Sequence, residues 1–381
     1  MPRSGQIVKR ENGKYLARVY VGKDVNGKRH LVSRTFDKKK DAEAWLAEQL
    51  AAKAAGTFQA PSKETLAVYL RRWLTETVAF RVRERTLDDY TRLAEKYIIP
   101  HLGHIKTSEL RADHVQKFYN TLFANNGVDT PRHVHCVLHS ALNQAVKWGL
   151  VSRNVSDLVD VPRAPRREMR PLNPNEVQRF FEAARDDRYY AYFVLLVDAG
   201  LRPGEALALT WDDIDLKSGV VHVTKAISTG KSKRYFGEPK TRKSRRSVHI
   251  TDGTVATLRA HKARQAEERI KVAEYWDDKN LVFPNELGDY SDGTKISKRH
   301  FKPILRKAGL PETIRVYDLR HTSATLLMAG NVHPKIVAER LGHSTTNLTL
   351  DTYSHVVPGM QEQVLQVMGT LLGSQKAHEN N

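Results

Sequence analysis

The chain opens on an alternating pattern of apolar and polar positions. KYLARVYVG (14–22) and RHLVSRTF (29–36) are rich in β-branched residues and partly alternate, as half-buried strands do. Between them DVNGKRH carries the Asn-Gly pair of a tight turn. DKKKDAEAWLAEQLAAKAAG (37–56) then changes to helical spacing, with Asp37 as the expected N-cap and Gly56 as the expected end. Residues 57–63 read as a linker. From Glu64 to Leu150 the apolar positions recur every three or four residues, which predicts a bundle of four or five helices. Thr86 (or the Arg85-Thr86 pair) and Thr130-Pro131 are its clearest helix starts. Three prolines and four arginines interrupt the pattern at 161–171. A new helix start, NPNEVQRF, follows at Asn173. Further helices, strands near 219–250 and helices to about residue 372 come next, and SQKAHENN is expected to be a flexible tail.

The expected fold is therefore multidomain, mainly α with small β elements. Residues 1–58 form a three-stranded sheet plus helix, 62–160 a helical bundle, 161–171 a basic linker, 172–372 a mixed α+β domain and 373–381 the tail.

Charge narrows the function. The formal net charge is +19 and the pI about 9.8, while 40% of residues are hydrophobic, enough for real cores. Residues 1–60 carry 13 Lys and Arg against 6 Asp and Glu, and residues 231–246 carry 8 against 1. Arg163, Arg166, Arg167 and Arg170 fall in the linker with Glu168 alone. An excess spread over separate stretches suits a surface that tracks a long polyanion. No apolar run is long enough for a membrane span, the N-terminus lacks a signal-peptide core, and the single cysteine, Cys136, excludes an internal disulfide. A cytoplasmic protein is expected.

Four segments could carry chemistry. In GLRPGEALALTW (200–211), Gly200 can close the buried helix YYAYFVLLVDAG and Pro203 suits the first turn of the next helix. Arg202 then stands beside free backbone N–H groups, where an anion can sit. Its blander reading is a helix cap. EPKTRKSRRSVHI (238–250) is a basic turn leading into a strand, and a solvated hairpin tip explains most of its charges. In YDLRHTSATLLMAG (317–330), Tyr317 and Arg320 lie three apart on one helix face. A surface salt bridge from Arg320 to Asp318 or Glu339 is the blander reading. In HPKIVAERLGHSTTNLTLDTYSHV (333–356), Gly342 ends a short helix, His343 follows, Ser344 can cap the next, and Tyr353 lies ten residues beyond His343. His133, His135, Cys136 and His139 gather on one predicted helix, but helical geometry turns Cys136 away from the His135/His139 face. A phosphate-facing helix surface is read there, not a zinc site.

Taken in order, Arg…Lys…Tyr-x-x-Arg…LGHS…Tyr resembles the tyrosine recombinase (phage integrase) family, over the whole chain. The resemblance implies an arm-type DNA-binding domain (1–58), a core-binding domain (62–160) and a catalytic domain (172–372). It implies catalytic roles for Arg202, Lys240, Tyr317, Arg320, His343 and the nucleophile Tyr353, with Glu205 in support. Lys243 or Lys233 remain alternatives to Lys240. One departure is Tyr317, where the family usually has histidine. A tyrosine there can donate a hydrogen bond but is no cation near neutral pH.

The implied reaction cuts and rejoins DNA through a 3′-phosphotyrosine, needs no cofactor or metal, and integrates or excises a mobile element. The implied partners are duplex DNA with core-type and arm-type sites, a homotetramer on DNA built by a C-terminal helix bearing Val364, Val367, Leu371 and Leu372, a DNA-bending host factor and a directionality factor, in a bacterial nucleoid. DNA contacts are expected from Arg163, Arg166, Arg167, Arg170, Arg242, Lys243, Arg18 and Tyr20. Competing readings are a type IB topoisomerase, which has no use for an arm-like module, and a catalytically weak DNA-binding regulator, which has no use for the full set of motif residues.

Overall fold

The computed structural model describes residues 5–23, 29–55, 64–162, 169–229, 234–237, 245–343, 345 and 368–369. The chain divides into two compact units, 1–166 and 167–381.

The first unit begins with an antiparallel sheet in the order β1 (Gly5–Lys9), β2 (Tyr15–Lys23), β3 (Arg29–Phe36), followed by helix α1 (Lys39–Ala54). Register pairs Gly5 with Val19 and Tyr15 with Phe36, and a bulge interrupts the ladder between Tyr20 and Gly22. Ala17, Val19 and Ala42 are fully buried, and the Phe36 and Trp45 rings meet at 5.9 Å, so one face of the sheet packs on α1. Asp37 does not cap α1. Lys38 takes the cap position, and the Asp37 carboxylate pairs with Lys14 at 2.9 Å.

The bundle follows: α2 (Leu66–Trp73), α3 (Glu84–Leu93), α4 (Ile99–Leu102), α5 (Ala112–Asn126) and α6 (Asp129–Lys147). π turns at Leu74–Val78 and Ala94–Ile98 prolong α2 and join α3 to α4. Leu70, Trp73, Ile98, Val115, Tyr119 and Leu138 close its core, each worth about 1.5–3 kcal/mol of apolar burial. The Tyr69 hydroxyl donates to the Ala141 carbonyl at 2.6 Å. Thr86 and Thr130 prove to be first-turn residues rather than caps, because α3 starts from Arg83 and α6 from Val128. Pro131 still lies in the first turn, where a missing N–H leaves no bond broken.

In the second unit α7 (Pro174–Ala184) starts from a capping box between Asn173 and Glu176. Next come the apolar helix α8 (Tyr190–Ala199) and the single turn α9 (Pro203–Ala206). β4 (Ile214–Asp215), β5 (Val220–Val223) and β8 (Arg246–His249) form one small antiparallel sheet. β6 (Ala226–Thr229) and β7 (Arg234–Gly237) form another. Helices α10 (Asp252–Val272), α11 (Gly293–Ile296), α12 (Lys302–Lys307), α13 (Asp318–Ala329) and α14 (Pro334–Leu341) complete it. The core joins Phe180, Tyr192, Phe193, Phe283, Phe301 and Leu319. Gly204 explains one glycine of the first motif: a Cβ there would lie 2.2 Å from the Ile227 carbonyl oxygen, so only glycine lets α9 press against β6.

His261 of α10 is buried and bonded through Nε2 to the Val282 carbonyl at 2.7 Å. Burial pushes its pKa down to about 4, against an upward pull from that carbonyl. The unfolded imidazole takes its proton near its ordinary value of 6.5 and the folded one only near 4. The stability that depends on neutral His261 is thus complete above pH 6.5 and is lost as pH falls toward 4. Urea titrations across this window should show a shallower loss of stability in His261→Gln than in the wild type, by up to about 1.4 kcal/mol per pH unit. Equal slopes in the two proteins would contradict the assignment.

Candidate active site

Two left-handed glycines organise the site. Gly200 closes α8 at φ +62° and Gly342 closes α14 at φ +67°. Helix ends leave carbonyl oxygens without intrahelical donors and concentrate partial negative charge there. Here guanidiniums take those oxygens. Arg320 donates through Nη1 to the Gly200 carbonyl and through Nη2 to the Leu341 carbonyl, both at 2.6 Å. Arg202 donates to the Gly342 carbonyl at 3.2 Å. Arg340, on the last turn of α14, donates to the Asp198 carbonyl of α8 at 2.9 Å. The glycines are needed sterically as well. A Cβ on Gly200 would lie 2.5 Å from Leu341, and one on Gly342 would lie 3.1 Å from Arg246.

Glu205 forms the second hub. It is 1% exposed, and its Oε1 accepts from Arg202 Nη1 at 2.6 Å. Its Oε2 accepts from the Arg202 backbone N–H at 3.0 Å and from Arg246 Nη2 at 3.0 Å. Burial alone would raise its pKa; Arg246 and Arg202 together outweigh that and hold the carboxyl below its ordinary value. Arg246 also donates through Nε to the Arg340 carbonyl at 2.7 Å.

Arg320 is 1% exposed. Burial, then the neighbouring Arg202 charge, lowers its pKa to about 10, so it stays cationic at neutral pH. His343 follows Gly342, its backbone N–H held by the Ala338 carbonyl at 2.9 Å. Burial first, then Arg320 and Arg202, depress its imidazole to about 4. Tyr317, 39% exposed, precedes α13, and its ring meets that of His321 edge-on at 5.2 Å. Asp318 pairs with Arg315 at 2.8 Å, which leaves it to anchor the start of α13 and not to bridge Arg320.

Arg202, Glu205, Arg320 and His343, 141 positions apart in sequence at most, thus come together on four helix ends, with Tyr317 near Arg320. Lys240, Arg242, Lys243, Lys233, Tyr353, Arg163, Arg166 and Arg167 lie outside the described residues, as do Ser344 and the C-terminal face of Val364, Val367, Leu371 and Leu372. Arg170 pairs with Glu176 at 2.7 Å, at the start of α7. Arg18 is half-buried, on the face of β2 opposite Ala17 and Val19. Tyr20 is half-buried beside the Lys53 ammonium, which lies 5.2 Å from its ring. Of the histidine group, His135 bonds Tyr119 at 3.0 Å and His139 bonds Asp157 at 2.9 Å.

Sequence reasoning missed Arg246. It sits in a run of basic residues that hides it, yet strand alternation gives it the parity of buried Val248 and Ile250. Only 7% of its side chain is exposed.

Comparison with known proteins places the chain in a family. Residues 170–359 match the phage integrase family model, 65–123 the phage integrase N-terminal SAM-like domain and 3–55 the phage integrase N-terminal domain. A tyrosine recombinase XerC-like protein of Caldanaerobacter subterraneus subsp. tengcongensis is 31% identical over 95% of this chain and 97% of its own. The integrase of the Tn1549 transposon, solved with a circular intermediate DNA, superposes with a TM-score of 0.67 at 19% identity over 80% of this chain and 100% of the other. A lambda integrase dimer bound to a core site gives 0.56 at 16% identity over 92% and 95%.

A proton titration of the free protein by NMR should find the His343 imidazole neutral down to about pH 5, with its signal identified by its loss in His343→Gln. A midpoint near 6.5 would mean that burial and the two arginines do not act on it as described.

Proposed function

From the fact that this chain belongs to the phage integrase family and is a tyrosine site-specific recombinase, we propose that it cuts and rejoins duplex DNA through a 3′-phosphotyrosine bond to Tyr353, integrating or excising a mobile element. The observation that carries this reading is the gathering of Arg202, Arg320 and His343 around the C-terminal carbonyls of α8 and α14. Phosphoryl transfer builds negative charge on the non-bridging oxygens. Planar guanidiniums suit that charge because each offers a fork of donors and stays protonated. Arg320 is already fixed by two carbonyls, and Arg202 by a carbonyl and Glu205, so little reorganisation remains for the moment of reaction.

The phenol of Tyr353 gives up its proton to solvent as its oxygen attacks phosphorus, the P–O5′ bond breaks, and Lys240 gives its proton to the departing 5′-oxygen. The phosphotyrosine ester stores energy comparable to the bond broken, so attack by a 5′-hydroxyl reverses the step without a nucleotide cofactor. Neutral His343 offers one N–H donor to the phosphate. Tyr317 offers its hydroxyl where a histidine is usual, a neutral donor in place of a possible cation.

In this reading residues 1–58 bind arm-type sites, with Arg18 and Tyr20 on the strands that face DNA, and the bundle binds core-type sites. The linker arginines, with Arg170, Arg242 and Lys243, contact phosphates. A homotetramer assembles on DNA through the C-terminal segment, with a DNA-bending protein and a directionality factor as further partners.

The deciding experiment uses a nicked suicide duplex carrying the short direct repeat that flanks the element, and denaturing gels. Wild type should form a covalent complex, Tyr353→Phe none, and Arg202→Lys should slow its formation by about 100-fold or more. Tight binding without a covalent band in the wild type would move the reading to a DNA-binding regulator. Separately, replacing Arg163, Arg166 and Arg167 by Gln should weaken binding to all duplex sequences alike and reduce the slope of log affinity against log salt by about 2–3. An unchanged slope would remove these residues from the phosphate contacts.

A further inference from the structure

We propose that Arg246 is a positioning residue for the recombination reaction: it holds Glu205 and the C-terminal turn of α14 together, so that Arg202 and His343 face the same phosphate. The proposal rests on the recombinase reading above and adds a residue to it. Three contacts carry it. Arg246 Nη2 binds Glu205 Oε2 at 3.0 Å, its Nε binds the Arg340 carbonyl at 2.7 Å, and its side chain packs against the Gly342 backbone so closely that a Cβ there would lie 3.1 Å away. One planar guanidinium thereby joins β8 to the helix-start residue Glu205 and to the turn that bears His343. Its neighbours point the same way chemically. Glu205 has two oxygens and two guanidiniums. With Arg246 taking Oε2, Arg202 keeps part of its fork for an incoming anion. Without Arg246, the buried carboxylate has only Arg202 to neutralise it and draws that guanidinium inward.

β8 starts six residues after Lys240. It is pinned by Arg246 to Glu205 and to the last turn of α14, beside the groups proposed to hold the phosphate. A lysine cannot substitute fully, because one ammonium on a flexible stem lacks the fork that spans Glu205 and the Arg340 carbonyl.

The test compares full-length wild type, Arg246→Met, Arg246→Lys and Arg246→Met/Glu205→Gln on the same nicked suicide duplex, measuring single-turnover covalent complex formation and DNA affinity separately. Arg246→Met should slow cleavage by about 100-fold while affinity changes less than about threefold, the pattern of a lost transition-state interaction. Glu205→Gln on top of Arg246→Met should recover part of the rate, because the uncompensated carboxylate is gone, and Arg246→Lys should fall between wild type and Arg246→Met. The His343 titration midpoint should also rise in Arg246→Met, which a merely structural defect far from the pocket does not produce. Cleavage by Arg246→Met within about twofold of wild type overturns the proposal. If Arg246→Met loses its near-UV circular dichroism, Arg246→Lys decides: a full wild-type rate overturns the proposal, and a loss of about tenfold with normal folding supports it. A wild-type protein that forms no covalent complex sinks the recombinase reading itself and the proposal with it, an outcome distinct from an active wild type with an equally active variant.

Discussion

The second unit depends on one buried cation. Arg320 sits where α8 and α14 end, and its guanidinium supplies the donors that both helix ends lack. An unpaired charge at this depth would cost several kcal/mol. Two carbonyl oxygens from helix C-termini offset that burden without introducing a carboxylate. The arginine keeps its charge while remaining well hydrogen-bonded. Everything else in the pocket is arranged from this point: the glycine turns that aim the carbonyls, Arg202 on the next oxygen along, and His343 one residue beyond the second glycine.

The electrostatic balance follows. Arg202 and Arg246 share one buried carboxylate, Glu205, while Arg320 is held by backbone carbonyls. Burial first, and then the surplus of positive charge, lowers the proton affinity of His343 and Arg320. Such a pocket favours any anion that reaches it, and a phosphodiester fits both the charge and the planar forks. The imidazole that burial and the arginines keep neutral would be drawn toward protonation by a bound phosphate, so its state is tied to occupancy.

Much of this was legible in the chain wherever a local pattern sufficed. Alternation disclosed the strands of the first sheet, though the Asn-Gly pair expected to turn between them lies outside the described residues; helical spacing disclosed the bundle, and Gly200, Pro203 and Gly342 marked helix ends that the structure has at those positions. Cap assignments at Asp37, Thr86 and Thr130 missed by one to three residues, because a short polar side chain near a helix start can pair elsewhere. Asp37, for one, pairs with Lys14. What the pattern could not give were partners distant in sequence. Spacing offered Arg320 a salt bridge with Asp318 or Glu339, whereas its real partners are backbone oxygens, one of them 120 positions away. Backbone carbonyls carry no side-chain signature. Arg246 stayed hidden for a related reason: one inward arginine looks like its solvated neighbours until Glu205, 41 positions earlier, is brought beside it.

Because Arg320 is bound to the ends of two helices, its presence is a requirement of folding before it is one of chemistry. A copy of this gene that had lost its activity would still be selected to keep Arg320 and both glycines for as long as the protein was needed as a scaffold or a DNA-bound competitor. The residues that diagnose a living enzyme are instead those the fold can spare. Tyr317, open to solvent at the rim, takes no helix-end carbonyl among the described residues, and drift there would be visible long before the caged arginine changed.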